Sequence, residues 1–196
     1  VTYYGDYFRK VNFEIEPLLL KIFTEEYPKE TAGSKIKDPL VFILQLTNEL
    51  KITEINTEVL ALFLTQQGMD LFNQPNVKGW DGGNNWLTSQ LFLQRHNASD
   101  FLCNGRMLNR KVLRGNDIAT SEMIKTIKVG IDFKKGSNKQ IISELTERLL
   151  FQNNLDLQKD MEQVLKYDFD ASSENAEKAV LRLFNYITKT PEYQLI

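Results

Sequence analysis

The sequence predicts an all-α fold, and three observations predict it. Apolar residues recur at helical spacing through most of the chain, caps and breakers punctuate the stretches between them, and strands nowhere alternate with helices as a parallel sheet requires. The expected architecture is an irregular multi-helix bundle with a Gly/Trp-rich central loop and room for one short strand or hairpin. A length of 196 residues suffices for one hydrophobic core, so a single helical domain over residues 1–196 is expected. Hydrophobic residues at 42% and charged residues at 26% are ordinary globular values, which argues against both wholesale disorder and a membrane protein. No apolar run approaches the ~20 residues of a bilayer crossing.

Taken in order, residues 14–27 place Leu19, Ile22, Phe23 and Tyr27 on one helical face. Pro17 is tolerated there because a first turn has no intrahelical N–H bond to lose. Asp38-Pro39 then offers an N-cap acceptor followed by proline at the first helical position, opening a helix to about Leu50. Leu40, Ile43, Leu44 and Leu50 fit one side of it, and Val41, Phe42 and Leu46 widen that side. Asn56 or Thr53 starts a third helix through Val59, Leu60, Phe63 and Leu64, which Gly68 ends in a left-handed cap.

After Gly68 the turn residues Asn73, Pro75, Asn76, Gly79, Gly82 and Gly83 forbid regular structure until Asn84 or Asn85 caps the next helix. From Trp86 to about Phe101, Trp86, Ser89, Gln90, Leu93 and Asn97 share a face, while Leu87, Leu91 and Phe92 supply apolar cover. Residues 126–133 alternate enough for a short strand, with no obvious partner. Ser137 with Gln140 forms a capping box ahead of the stripe Ile141, Ile142, Leu145 and Leu149, and Asn153-Asn154 breaks that helix. Leu157, Met161, Val164 and Leu165 give a shorter helix. Ser172 or Ser173, with Glu174 and Glu177 in the first turn, opens the last, whose stripe Ala176, Val180, Leu183, Phe184 and Ile187 runs until Pro191.

The net charge of −2 conceals an asymmetry. Residues 104–139 are strongly basic and residues 140–178 acidic. The plain reading is a solvated basic connector facing an acidic helical face of the same chain. The sharper reading is an anion-binding strip of Arg106, Arg110, Lys111 and Arg114. Few aromatics are interleaved, so nucleic acid is a poor fit. A single cysteine, Cys103, excludes an internal disulfide and a multi-cysteine metal site. A single histidine excludes a multi-histidine site, so neither metal nor cofactor is expected. The beginning VTYYGDYFRK has no initiator Met, n-region or h-region and is read as the start of a fragment of a longer protein.

The densest chemistry lies in residues 66–97. The loop NVKGWDGGNNW leads into a helix N-terminus, a generic anion site, but lacks the Lys-Ser/Thr of a phosphate loop and follows no strand. Saccharide recognition fits the residue types better. Trp80 or Trp86 offers an apolar face, and Asp81, Asn84 and Asn85 offer hydrogen bonds. Against this stands the plainer reading that both tryptophans plug the loop onto the core, favoured because tryptophan is usually well buried. Ser89, His96 and Asp100 do not form a triad. Seven residues at ~1.5 Å rise separate Ser89 from His96 by about 10 Å on one helix, against the ~3 Å that proton transfer needs. His96 and Asp100, at i,i+4, are read as a surface pair. Asp70 and Asp81 flank the loop as a weak carboxylate pair.

The run Gly68-Met69-Asp70-Leu71-Phe72-Asn73-Gln74-Pro75-Asn76-Val77-Lys78-Gly79-Trp80-Asp81-Gly82-Gly83, with Trp86 and then Arg95-His96-Asn97, resembles the hallmark of a bacterial domain-of-unknown-function family, the one numbered 1800. Asn12-Phe13-Glu14-Ile15, Lys35-Ile36-Lys37-Asp38-Pro39, Ala179-Val180-Leu181-Arg182-Leu183-Phe184 and Pro191-Glu192-Tyr193-Gln194-Leu195 are similar to its C-terminal half. The chain departs from the family where Asp81 replaces a usual Pro and where Asp38-Pro39 replaces a frequent Ser-Pro. The resemblance implies a helical upstream half and a periplasmic or secreted parent protein, and carries no established activity.

Two functions are therefore expected. The first is a non-catalytic binding or scaffolding domain of an exported bacterial protein, with Trp80, Asp81, Gly82, Gly83, Asn84, Trp86, Arg95, His96 and Asn97 as candidate contacts for a saccharide or partner protein. The second is a hydrolase-like enzyme on polysaccharides or esters, with Asp81, Arg95 and His96 contributing to a site completed by the upstream half. Convergence of those three residues in one cleft, or their dispersal, separates the two expectations.

Overall fold

A computed structural model describes residues 2–29, 33–52, 57–104, 137–152, 155–165, 170, 172–173 and 175–196. Among them are eight α-helices: α1 (Thr2–Lys10), α2 (Ile15–Glu26), α3 (Pro39–Glu49), α4 (Thr57–Gln66), α5 (Ser89–Cys103), α6 (Asn138–Leu149), α7 (Leu155–Leu165) and α8 (Ala176–Thr188). Three 3-10 turns, Tyr27–Lys29, Gly83–Leu87 and Glu192–Gln194, complete the set. The described residues hold no sheet, only an isolated antiparallel bridge between Ile36 and Leu195. The all-α expectation holds. The strand expected at 126–133 and the strip Arg106, Arg110, Lys111 and Arg114 lie outside the described residues. No described helix is long and apolar enough to cross a membrane.

The sequence dictates the helix ends by ordinary capping chemistry. Asp38 Oδ1 accepts from Val41 N at 2.8 Å and Pro39 takes the first helical position of α3, as expected. At the end of α4, Met69 N donates to Leu64 O (2.9 Å) and Gly68 N to Thr65 O (3.0 Å), a Schellman closure that needs the φ of +86° at Gly68. Ser137 Oγ accepts from Gln140 N at 3.4 Å, but the Gln140 side chain turns to Glu144, so only half of the expected capping box forms. The expected caps of α5 are corrected. Asn84 and Asn85 lie within a 3-10 turn, and Thr88 caps the helix by accepting from Leu91 N at 3.4 Å. The last helix begins at Ala176, after Asn175, rather than at Ser172 or Ser173.

The core lies where α8 packs against α5, α6 and α7, with α3 and α4 joined through α5. Phe42, Leu46, Leu102, Ile141, Leu145, Met161, Leu183 and Phe184 are at most 1% exposed in it. Each contributes about 1.5–3 kcal/mol of burial free energy. The α8 stripe is buried as read from the sequence. On α3 the buried residues are Pro39, Phe42, Ile43, Leu46 and Thr47, followed by the buried C-cap Leu50, whereas Leu44 is half exposed. On α5 the buried face is Arg95, Ala98, Ser99, Leu102 and Cys103, and the expected apolar cover Leu91 and Phe92 is only half-buried.

Helices α1 and α2 form a hairpin that the sequence reading missed at α1 and misjudged at α2. Neither contains a buried residue. On α2, Pro17, Leu18, Lys21, Ile22, Glu25 and Glu26 are half-buried, as are Tyr4, Tyr7 and Phe8 on α1. Lys21 Nζ lies 5.1 and 4.8 Å from the Tyr3 and Tyr7 ring centroids and pairs with Glu25, and Tyr4 donates to Glu26. These polar and aromatic contacts set the rotation of α2. Most of the expected stripe therefore points outward: Leu19, Phe23 and Tyr27 are 45%, 67% and 80% exposed.

Candidate functional site

Two stretches far apart in sequence enclose a cleft of about 550 Å³. One wall is Ser34, Lys35, Ile36 and Asp38, just before α3. The other is Met69 with Trp80, Gly82, Gly83, Asn84 and Trp86 from the central loop. The first wall is held in place by the chain end: Lys35 and Ile196 exchange backbone bonds of 3.1 and 2.8 Å, and Lys37 N donates to Gln194 O at 2.8 Å. The second follows the Gly68 closure. Gly82, with φ +71° and ψ −166°, takes a conformation that only glycine adopts readily and turns the chain into the Gly83–Leu87 turn.

The tryptophans part company. Trp86 is 7% exposed, with its ring edge 3.7 Å from the point a Cβ on Gly68 would occupy. It plugs the loop onto the core, as the plainer reading holds. Trp80 is only half-buried and lines the cleft. Asp81 sits between two lining residues but is exposed and outside the lining. Asp70, the other flanking carboxylate, accepts from Asn73 Nδ2 at 2.9 Å.

Arg95 lies elsewhere. It is fully buried behind the Ser34–Asp38 wall, where Nη2 donates to Lys37 O at 2.7 Å and Nη1 to Gln194 Oε1 at 3.2 Å. Gln194 is buried too, donating to Thr188 O and Thr190 O at 3.1 and 3.2 Å. Lys37, also fully buried, donates to Tyr193 O and stands 3.8 Å from the Tyr193 ring centroid. Neither cation makes an ion pair among the described residues. Burial pulls Lys37 down to about 8, with Arg95 pushing the same way and Glu49 opposing. Burial likewise lowers Arg95 to about 10, opposed by Asp38. The sequence reading missed Lys37 and the whole Ser34–Asp38 wall, whose only signal was that Lys35-Ile36-Lys37-Asp38-Pro39 shares the family resemblance of the loop.

His96 faces a second cleft, about 480 Å³, with Leu157, Tyr186, Lys189 and the acids Asp156, Asp160 and Glu192. Its Nε2 lies 3.0 Å from the Lys189 carbonyl, which assigns the proton to Nε2, and Phe92 packs 4.4 Å from the ring. Burial draws His96 below its ordinary value against the pull of that carbonyl bond. The expected surface pair with Asp100 is corrected: Asp100 pairs with Lys189 and accepts from Asn185 Nδ2 at 2.8 Å. Burial works against the Asp100 carboxylate, but those two donors outweigh it and hold it below the usual range. Asn97 is exposed beside Gln94.

The candidates thus separate into a cleft set (Trp80, Gly82, Gly83, Asn84, Trp86), a buried residue (Arg95), a second-cleft residue (His96) and two exposed ones (Asp81, Asn97). Asp81, Arg95 and His96 do not converge. Among the described residues no group of three or more His, Cys, Asp or Glu is arranged to hold a metal ion. The family model described as a protein of unknown function, DUF1800, matches residues 1–195. The chain belongs to the DUF1800 family. No curated protein and no solved structure matches it. In this DUF1800 chain the loop and the wall, both carriers of the resemblance, face each other across one cleft.

Proposed function

We propose that this DUF1800 chain is a non-catalytic binding domain of an exported bacterial protein, and that the Trp80 cleft takes a saccharide. The observation that carries the reading is the half-buried Trp80 ring in a cleft whose other wall carries Ser34, Lys35 and Asp38. A pyranose presents an apolar face that stacks on an indole and hydroxyls that reach Asn84, Ser34 and the open backbone at Gly82 and Gly83. Non-catalytic binding is supported by the lining's charged residues, Lys35 and Asp38, since the Asp38 carboxylate already caps α3. Export rests on the family resemblance alone.

The test is a glycan array followed by calorimetric titration of the tightest hit into wild type, Trp80→Ala and Trp80→Phe. The reading expects wild-type binding, at least tenfold weakening in Trp80→Ala, and partial recovery in Trp80→Phe, since stacking is worth on the order of 1 kcal/mol or more. Absence of binding, or binding indifferent to Trp80→Ala, refutes it. Recovery of the native protein from the periplasmic or culture fraction checks the export component.

A further inference from the structure

Lys37 and Arg95 do more than tie the chain end to α5. Among the described residues their partners are backbone carbonyls, the Gln194 amide oxygen and aromatic rings, and Arg95 Nε has no hydrogen-bond partner there. Both are fully buried immediately behind the cleft wall: Lys37 lies between the lining residues Ile36 and Asp38, and Arg95 donates to the Lys37 carbonyl. Glu49, on the far side, is engaged by Arg148 at 2.8 Å. Charges in the protein interior act over longer distances and are screened less by salt than those in water.

The charges facing the cleft directly cancel. Lys35 lines it, and Asp38 lines it with its carboxylate on the Val41 amide. Asp81, outside the lining, is exposed and screened by solvent. The positive end of α3, which starts at Pro39, points at the same wall. What remains is the field of the two buried cations.

We infer that the Trp80 cleft selects acidic saccharides, carrying uronate carboxylates, over neutral ones, because the wall opposite Trp80 is backed by Lys37 and Arg95, neither of which is ion-paired with a carboxylate among the described residues. The inference rests on the saccharide reading above and names its substrate class. Stacking on Trp80 supplies affinity common to all sugars, and the buried cations add a preference that neutral sugars do not feel.

The probe pair is tetragalacturonate and its fully methyl-esterified form, which differ in charge at the same sugar and linkage. Each is titrated calorimetrically into the full chain at pH 7, first at low and then at high salt. The acid is expected to bind about tenfold tighter at low salt, and the ratio to shrink as salt rises. Lys37→Met is expected to narrow the low-salt ratio; a folded Lys37→Met with the wild-type ratio overturns the assignment of the preference to that cation. If the variant does not fold, the wild-type ratio and its salt dependence decide. Equal affinities, or a tighter ester, overturn the charge preference while leaving the saccharide reading standing. Failure of both probes where neutral hexose oligomers bind has the same meaning, and failure of every saccharide overturns both readings.

Discussion

At Lys37 a primary amine sits at 0% exposure with a carbonyl and a tyrosine ring for company. Its folded value of about 8 lies below the ordinary 10.5, so between those values the unfolded chain binds more protons and stability rises with pH. From pH 8 to 9 the gain is about 1 kcal/mol. Above pH 9 the Cys103 thiol, and above pH 10 the Tyr193 phenol, both held protonated by burial, pull stability the other way. Urea unfolding at pH 7, 8 and 9 is therefore expected to show a rise in wild type that Lys37→Met lacks; parallel profiles would show Lys37 to be solvated. The tryptophans give a second residue-level contrast. Trp86→Ala is expected to cost about 3–5 kcal/mol as a buried plug, and Trp80→Ala less, about 1–2 kcal/mol, because its ring is only partly buried. Similar losses in the two melts would place Trp80 in the core.

At the scale of elements, the α1–α2 hairpin and the Gly68 closure make opposite predictions. The hairpin exposes Phe13, Ile15, Leu20 and Phe23 by 64–68% and packs chiefly on itself. Replacing Leu20 or Phe23 by Gln is thus expected to change stability by less than about 0.5 kcal/mol while lowering binding of the dye ANS, an uncommon result for a large apolar side chain. A loss above about 2 kcal/mol would mean that the face is covered. Gly68 is the reverse, a residue without a side chain whose replacement is costly. At φ +86°, and with Leu91 3.4 Å from the new methyl, Gly68→Ala is expected to cost about 1–2 kcal/mol and to loosen the loop that carries Trp80. Thermal melts and the saccharide titration read both effects.

Over the whole molecule, the helices were legible where a cap and a stripe coincide, as at Asp38-Pro39 with α3 and at Ile141, Leu145 and Leu149 in α6. They were not legible where orientation depends on a partner. Nothing local to α2 says that Lys21 and Glu25 will turn toward α1 and carry Phe23 outward, because the decision belongs to the tyrosines of α1. The candidate site was half legible for the same reason. Composition marked the loop of Trp80, Gly82 and Gly83, but its opposing wall is brought in by backbone pairing with the chain end at Gln194 and Ile196. Arg95 and His96 are adjacent in sequence and diverge because a helix turns about 100° per residue, sending one inward and the other to a separate cleft. The chain's 2 tryptophans and 1 histidine make the central claim directly measurable. In a nitrogen–proton correlation spectrum titrated with the tightest-binding glycan of the array, the Trp80 indole N–H signal is expected to shift to saturation while the His96 ring signals stay in place. A stationary Trp80 signal with a moving His96 would put the ligand in the other cleft and contradict the account.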